Sequence, residues 1–459
     1  MAQSKSLIKD FTEGSVSKQL LTFAAPLFLS SLLQIVYNMV DMIIVGHVEG
    51  KVGLSEVSVG GSVSNFMTFF AMGFANAGQV IISQYIGAGQ KEKVGKFVST
   101  MFTFLVGCAL IISAICLFFR HGILELMNTP PESYEQTLAY ATTCMVGLVF
   151  IYGYNIVGAV LRGMGDSKHP FVFISIAAIL NVILDLIFVV GFHWGAFGAA
   201  FATVISQAVS FFSCVRFLVR NRHRFELSVR AADFIHIDFD MLSKLAKLGL
   251  PMAIKSASIQ FSKLFVNSWI NSYGVAVSAM AGIANKFNSI SNLFSNAINT
   301  AGSSMVGQNI GAEKYKRVPK IMATAFAVTL SISTILAVIL LSFPKYVFGI
   351  FTTEAEVLAI AMQYLPIAVL IFFGSSCRAP MNTLINGSGN YKINFVTAIL
   401  DGIVLRIGFS VLFGLVLDME YLGFWLGDAL AGFTPFWIGL VYLLTGKWKT
   451  NKYIINKRK

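Results

Sequence analysis

An all-α membrane protein, with about twelve transmembrane helices in two parallel six-helix repeats and both termini cytoplasmic, is the fold class this sequence predicts. Three observations carry the prediction. Apolar runs of about 20 residues, long enough to cross a hydrocarbon core, recur along nearly the whole chain. Hydrophobic residues make up 56% of the 459 and charged residues only 12%, about half the share usual in soluble domains, and mean hydropathy is +0.73. Motifs of the first half return in the second at a constant offset. Long runs, rather than short alternating ones, exclude an outer-membrane barrel.

The elements follow in order. A polar arm, residues 1–18, enters the first apolar run without a small-residue cleavage site and reads as a cytosolic segment. Spans are expected at roughly 19–45, 54–81, 95–119, 137–160, 170–191 and 196–218, which form an N-lobe over 19–218. A charged connector covers 219–245. The second set falls at roughly 246–271, 276–305, 321–343, 357–383, 393–416 and 422–445, a C-lobe over 246–445, before a basic tail at 446–459.

Charge sorts these connectors by side. One set holds Lys91, Lys93, Lys96, Arg162, Lys168, five arginines from Arg216 to Arg230, Lys314, Lys316, Arg317, Lys320, Lys392 and the tail. The alternate set holds Lys51, Arg120 and Lys345 among acids such as Glu125, Glu132, Glu354, Asp418 and Glu420. The positive-inside bias then places both termini and the central connector in the cytoplasm. The net charge of +12 therefore reflects topology, and nucleic acid is not an expected partner. The same basic tracts also suit anionic lipid. All five cysteines fall in or beside apolar runs without metal-ligand spacing, and read as reduced packing residues.

The repeats are specific. Pro26 matches Pro251, Gln84-Tyr-Ile-Gly-Ala-Gly matches Gln308-Asn-Ile-Gly-Ala-Glu, and Arg162-Gly-Met-Gly-Asp-Ser-Lys168 matches Asn386-Gly-Ser-Gly-Asn-Tyr-Lys392. The offset stays at 224–225 residues across all three. Six helices per half preserve orientation, so the repeats are parallel. In transporters so built, one lobe rocks against the other to alternate access.

Enzymatic readings fail. Gly89 and Gly95-Lys96 are separated by five residues where a P-loop has four, Phe97 replaces the Ser or Thr, and no strand precedes them. No Ser/His/Asp set or metal cluster stands out, so the chain is not expected to be an enzyme or to hold a cofactor.

The informative polar residues lie inside the spans. In the first, Ser30, Gln34, Tyr37, Asn38 and Asp41 recur at spacings of three and four and share a face. An acid in the bilayer costs roughly 2.5–3.5 kcal/mol or more, so Asp41 needs a wet cavity or partners from other helices. In the fifth span Asn181 and Asp185 sit four apart on one face, and in the sixth Thr203 closes a stripe of small residues from Gly195. Asp41, Asp185 and Thr203 stand about five, six and eight residues from the outer ends of their spans, a few ångströms apart in height at roughly 1.5 Å per residue. Such oxygens suit Na⁺. Two neighbouring acids also suit H⁺, because mutual repulsion favours a state with one proton bound. A hydrogen-bonded packing cluster is the alternative.

The C-lobe differs. Ser256, Gln260, Lys263 and Asn267 repeat the first-span stripe with the acid replaced by an amide and the tyrosine by a lysine. Lys255, Lys286, Arg378 and Arg406 add intramembrane cations, and Asn285, Asn288, Asn292, Asn296 and Asn299 line the eighth span. Arg406 and Asp428 match in depth and are expected to pair. Lys255 and Lys263 either meet an anionic group in a central cavity or pair with Asp401. Gln34, Tyr37, Asn38, Lys255, Lys263, Asn267, Asn285 and Lys286 are the candidate substrate-cavity residues.

Together these motifs resemble the multidrug and toxic compound extrusion (MATE) family, over nearly the full length. They are the first span from Pro26 to Asp41-Met-Ile-Ile-Val-Gly46, Gln84-Tyr-Ile-Gly-Ala-Gly, Leu161-Arg-Gly-Met-Gly-Asp-Ser, Asn181-Val-Ile-Leu-Asp185 and Gly198-Ala-Ala-Phe-Ala-Thr203. The resemblance implies a multi-pass protein of the cell membrane, in bacteria the cytoplasmic membrane, that exports small organic, often cationic, compounds in exchange for Na⁺ or H⁺ and acts as a monomer. It implies a cation site at Asp41, Asn181, Asp185 and Thr203, the set that depth selects, and a first span that bends at Pro26. Sodium-coupled relatives carry acids in the seventh and tenth spans. Lys255 stands in the first of those regions, which argues against a C-lobe cation site. Export of an anionic, lipid-linked envelope precursor is the alternative function.

Overall fold

A computed structural model describes residues 6–127, 129–227, 231–234 and 236–449. The first five residues of the arm, parts of the connector including Arg230, and the tail from Thr450 lie outside the described residues.

The described chain is helical throughout its expected spans. Helix α1 (Val16–Gly87) covers the first two, divided by non-helical backbone at Gly50, whose φ of 64° and ψ of −144° only glycine adopts without strain. Then come α2 (Lys91–Phe118), the short α3 (Arg120–Leu126), α4 (Tyr134–Gly163), α5 (Lys168–Asp185) and α6 (Gly195–Arg220). The second half runs α7 (Phe239–Asn271), α8 (Val275–Gly311), α9 (Val318–Ser342), the short α10 (Pro344–Gly349) and α11 (Ala355–Gly387). It ends with α12 (Tyr391–Ile399), α13 (Leu405–Val411), α14 (Glu420–Ala431) and α15 (Thr434–Leu444).

Among the described residues, nine helical segments are long and apolar enough to cross a membrane. The continuous α1 counts once among them. Helices α7 and α8 fall outside the nine because the lysine and asparagine stripes lower their hydropathy. With α1 taken as two and these two added, twelve crossings result.

Among the described residues, two spans contain π-helical turns, three in all. After Asp185 the fifth continues as a π-helical turn, Leu186–Gly191. The eleventh contains two such turns, Leu400–Val404 and Leu412–Val416. The first and third of these turns are repeat partners, about 225 residues apart. π turns widen the backbone by one residue and gather at functional sites.

The described residues divide into two compact units. One takes the chain up to Asp10 and Ala25–Gly249, and the other takes Phe11–Ala24 and the chain from Leu250 onward. The chain thus passes between units one or two residues before Pro26 and Pro251, where a missing N–H interrupts each helix. In the first unit α4 packs on α2 and α6, and α5 on α6; in the second α11 packs on α8, α9 and α15.

A close approach recurs in both units. A Cβ on Gly163 would lie 2.9 Å from the Gln79 carbonyl oxygen, and one on Gly387 2.8 Å from that of Ser303. Both partners are shifted by 224 positions, so the repeat holds in packing as well as in sequence. The segment just before α1 is anchored inside the second unit. The Phe11 N–H donates to Gln308 Oε1 at 2.9 Å, Asn309 Nδ2 donates to the Phe11 carbonyl at 3.0 Å, and Arg317 donates to Gly14 and Glu13.

Candidate functional site

Three helices of the first unit, α1, α5 and α6, bring Asp41, Asn181, Asp185 and Thr203 together. Asp41, Asn181 and Asp185 are 6%, 2% and 0% exposed. Asn181 Nδ2 donates to Thr203 Oγ1 at 3.4 Å, and the carboxyl groups of Asp41 and Asp185 lie within interaction range of each other. Asp41 Oδ1, both Asp185 oxygens and Asn181 Oδ1 are buried without a hydrogen-bond partner.

Buried polar atoms are ordinarily bonded. Four bare oxygens on neighbouring side chains are a cost that a cation or a shared proton would offset. No cluster of three or more His, Cys, Asp or Glu exists among the described residues. The donors here are two carboxylates, an amide oxygen and a hydroxyl, hard ligands that fit Na⁺ or a shared proton better than a transition metal.

Two apolar clusters enclose the site. Tyr37 packs on Ile174 and Ala178 of α5. On the other side Val45 and Val57 pack with Tyr140, Cys144, Val189, Ala196, Ala199 and Ala200. The small residues of α6 allow that close approach.

Tyr140, on α4, faces both acids. The sequence did not single it out, although Tyr140 and Cys144 share a helical face. Glu56 was also missed. It is 3% exposed, lies beside Glu49 across the Gly50 break, and leaves Oε2 without a partner. Its place two residues inside an apolar run was the available signal. Of the remaining first-span candidates, Tyr37 is buried beside Gln34 and Gln207, while Gln34 and Asn38 are exposed. Pro26 lies inside α1, and its carbonyl accepts from the Ser30 hydroxyl at 2.8 Å.

The second unit holds the counterpart. A shift of 225 carries Asn181 to Arg406 and Thr203 to Asp428, and the pair again bonds: Arg406 Nη1 donates to Asp428 Oδ1. Arg406 Nη2 also donates to Asp401 Oδ1 at 3.0 Å. The second unit has a built-in guanidinium between two carboxylates, with Asp401 Oδ2 the one carboxylate oxygen of that trio buried without a partner.

The other cations take neutral partners. Lys255 Nζ donates to Asn382 Oδ1 at 2.7 Å and Arg378 Nη2 to Asn292 Oδ1 at 2.6 Å. Lys263 lines a cavity with Asn267, Asn285, Asn288, Trp425 and Asp428. Lys255 does not line it, and Lys286 is exposed outside it.

Twelve crossings in two repeats, with buried acids gathered inside one of them, define a multi-pass membrane transporter rather than an enzyme. Comparison with known proteins gives the family. The MatE family model matches residues 26–187 and again 251–412, so both ends of the second match lie 225 positions beyond the first. The chain belongs to the MatE family of multidrug and toxic compound extrusion transporters.

It is 28% identical over 448 residues to the probable multidrug resistance protein YpnP of Bacillus subtilis, covering 98% of this chain and 99% of that one. It is 23% identical to the multidrug export protein MepA of Staphylococcus saprophyticus, covering 86% and 87% of the two chains. A crystal structure of a MATE transporter in the straight conformation shares the fold, with a TM-score of 0.89 at 20% identity over 98% of this chain and all of that one.

Proposed function

We propose that this chain is a secondary active exporter of amphipathic organic compounds, driven by Na⁺ or H⁺ antiport with alternating access. One observation carries the proposal: Asp41, Asp185 and Asn181 converge with bare, buried oxygens beside Thr203. Relatives that carry multidrug resistance or export in their names support the class of cargo. The lysine and arginine bias of alternate connectors supports cytoplasmic termini, and a chain that supplies both repeats has no need of a second copy.

In this mechanism Asp41 and Asp185 take up the external cation, with Asn181 and Thr203 completing the oxygen set. Neutralising the acids changes the contacts of α1 with α5. Pro26 gives α1 a point at which to bend, since the helix there lacks one backbone hydrogen bond. Coupling requires that the cation-bound state hold cargo less tightly than the cation-free state.

The test uses purified protein in liposomes, with Na⁺ and H⁺ gradients imposed separately and ethidium as the cargo. One gradient drives wild-type efflux, and Asp41→Asn or Asp185→Asn abolishes the gradient dependence while expression and the unfolding midpoint stay near wild type. Gradient-driven efflux undiminished in both variants overturns the mechanism.

A further inference from the structure

The polar core of the second unit is short of negative charge. Lys255, Lys263, Arg378 and Arg406 face one another's fields there, against the carboxylates of Asp401 and Asp428 alone. Both carboxylates are engaged by Arg406. That leaves Lys255 and Arg378 on amide oxygens, and Lys263 without a hydrogen bond or an ion pair within 4.0 Å. Uncompensated cations inside a membrane protein are expensive. They are retained where something anionic arrives.

The cavity around Lys263, about 20 Å³, has walls that suit the anionic head of such a visitor. Asn267, Asn285 and Asn288 can donate amide N–H groups, while Val266, Ile270 and the Trp425 ring supply an apolar face. Asp428 also lines it and attracts Lys263 across the cavity, although its hydrogen-bonded ion pair is with Arg406. Lys255 lies eight residues before Lys263 on α7, two turns and about 12 Å along the same stripe. A second positive group therefore stands farther along the same path.

We infer that the second unit carries a binding site for the anionic group of an amphipathic organic molecule, with Lys263 as the anchoring charge, Asn267, Asn285 and Asn288 as donors, and Trp425 against the apolar body. Arg378 and Lys255 extend the positive field along the unit. The inference rests on the export reading and adds to its cargo molecules with a carboxylate, phosphate or sulfonate. Arg406 is the reason the site can be anionic. It occupies the place of the first unit's cation, so the second unit needs no coupling ion and its remaining charges serve cargo.

The test is dye binding to the purified full-length protein in neutral detergent, read by fluorescence polarisation. Carboxyfluorescein binds the wild type, and Lys263→Gln weakens that binding at least tenfold while Lys263→Arg keeps it within about threefold. Unchanged unfolding midpoints show that the variants are folded. Short-chain phosphatidylglycerol and anilinonaphthalene sulfonate serve as competitors. Displacement by the lipid alone assigns the site to a headgroup; displacement by the sulfonate assigns it to soluble organic anions. Either supports the site.

Absence of carboxyfluorescein binding, or binding indifferent to Lys263→Gln, overturns it. Ethidium efflux from liposomes separates the two proposals. Efflux intact with no anion binding sinks the anion site alone, and anion binding intact with no efflux sinks the export reading alone.

Discussion

Arg406 and Asp428 are bonded across 22 residues, as Asn181 and Thr203 are across 22 residues in the first repeat. The same two scaffold positions hold a guanidinium and a carboxylate in one unit and an amide and a hydroxyl in the other. One version holds its carboxylates on a built-in guanidinium, and the other leaves buried oxygens without a partner.

The Arg406 cluster sets the first expectation. Its side chains are nearly buried, so removing one member strands a charge, at a cost of about 3–5 kcal/mol. Arg406→Met should lower stability by that amount, measured by unfolding in detergent. Adding Asp401→Asn and Asp428→Asn should recover most of it, because the stranded charges then disappear.

Thr203 gives a second. Thr203→Val keeps the side-chain shape and removes the hydroxyl that accepts from Asn181. The cation concentration for half-maximal ethidium efflux should rise about tenfold, a change of about 1.4 kcal/mol, with little change in stability. A purely packing role would leave that concentration unmoved.

The paired glycines offer a third. Gly163→Ala and Gly387→Ala each press a methyl against a backbone carbonyl, and overpacking of this kind costs about 1–3 kcal/mol. Gly61→Ala meets nothing within 4 Å and should be neutral or stabilising by up to about 1 kcal/mol through helix propensity. Unfolding midpoints of the three variants check the contrast.

Pro26 supplies a fourth. A proline inside a helix costs about 3 kcal/mol through its missing N–H and its ring. Pro26→Ala should therefore raise the unfolding midpoint while slowing gradient-driven efflux several-fold. A variant that is both more stable and fully active would show that α1 need not bend there.

Much of this was legible in the residues. Runs of Leu, Ile, Val and Phe mark the spans, and the offset between Gln84 and Gln308 marks the repeat. Depth alone grouped Asp41, Asp185 and Thr203, because height along a helix follows directly from residue count. What escaped was local backbone geometry. Asp401 and Arg406 are five apart, a spacing that puts side chains on different faces of an α-helix; the π turn at Leu400–Val404 realigns them.

The sequence left Lys255 and Lys263 with two options; Asp401 bonds Arg406, while Lys255 bonds Asn382 and lies within the field of Asp401. Tyr140 escaped for another reason. An aromatic in an apolar run looks like any core residue until the helix that it faces is known.

The anchoring of Phe11 bears on how the protein is made. That residue leaves the ribosome well before its partners Gln308 and Asn309, which follow 297 and 298 residues later. At about 5–20 residues per second, translation takes roughly 15–60 s to reach them. Throughout that interval the segment just before α1 has no seat, and the second unit cannot close around it until α8 is in place. A chain stalled before Gln308 would therefore display this unclaimed segment to the quality-control machinery of the cell.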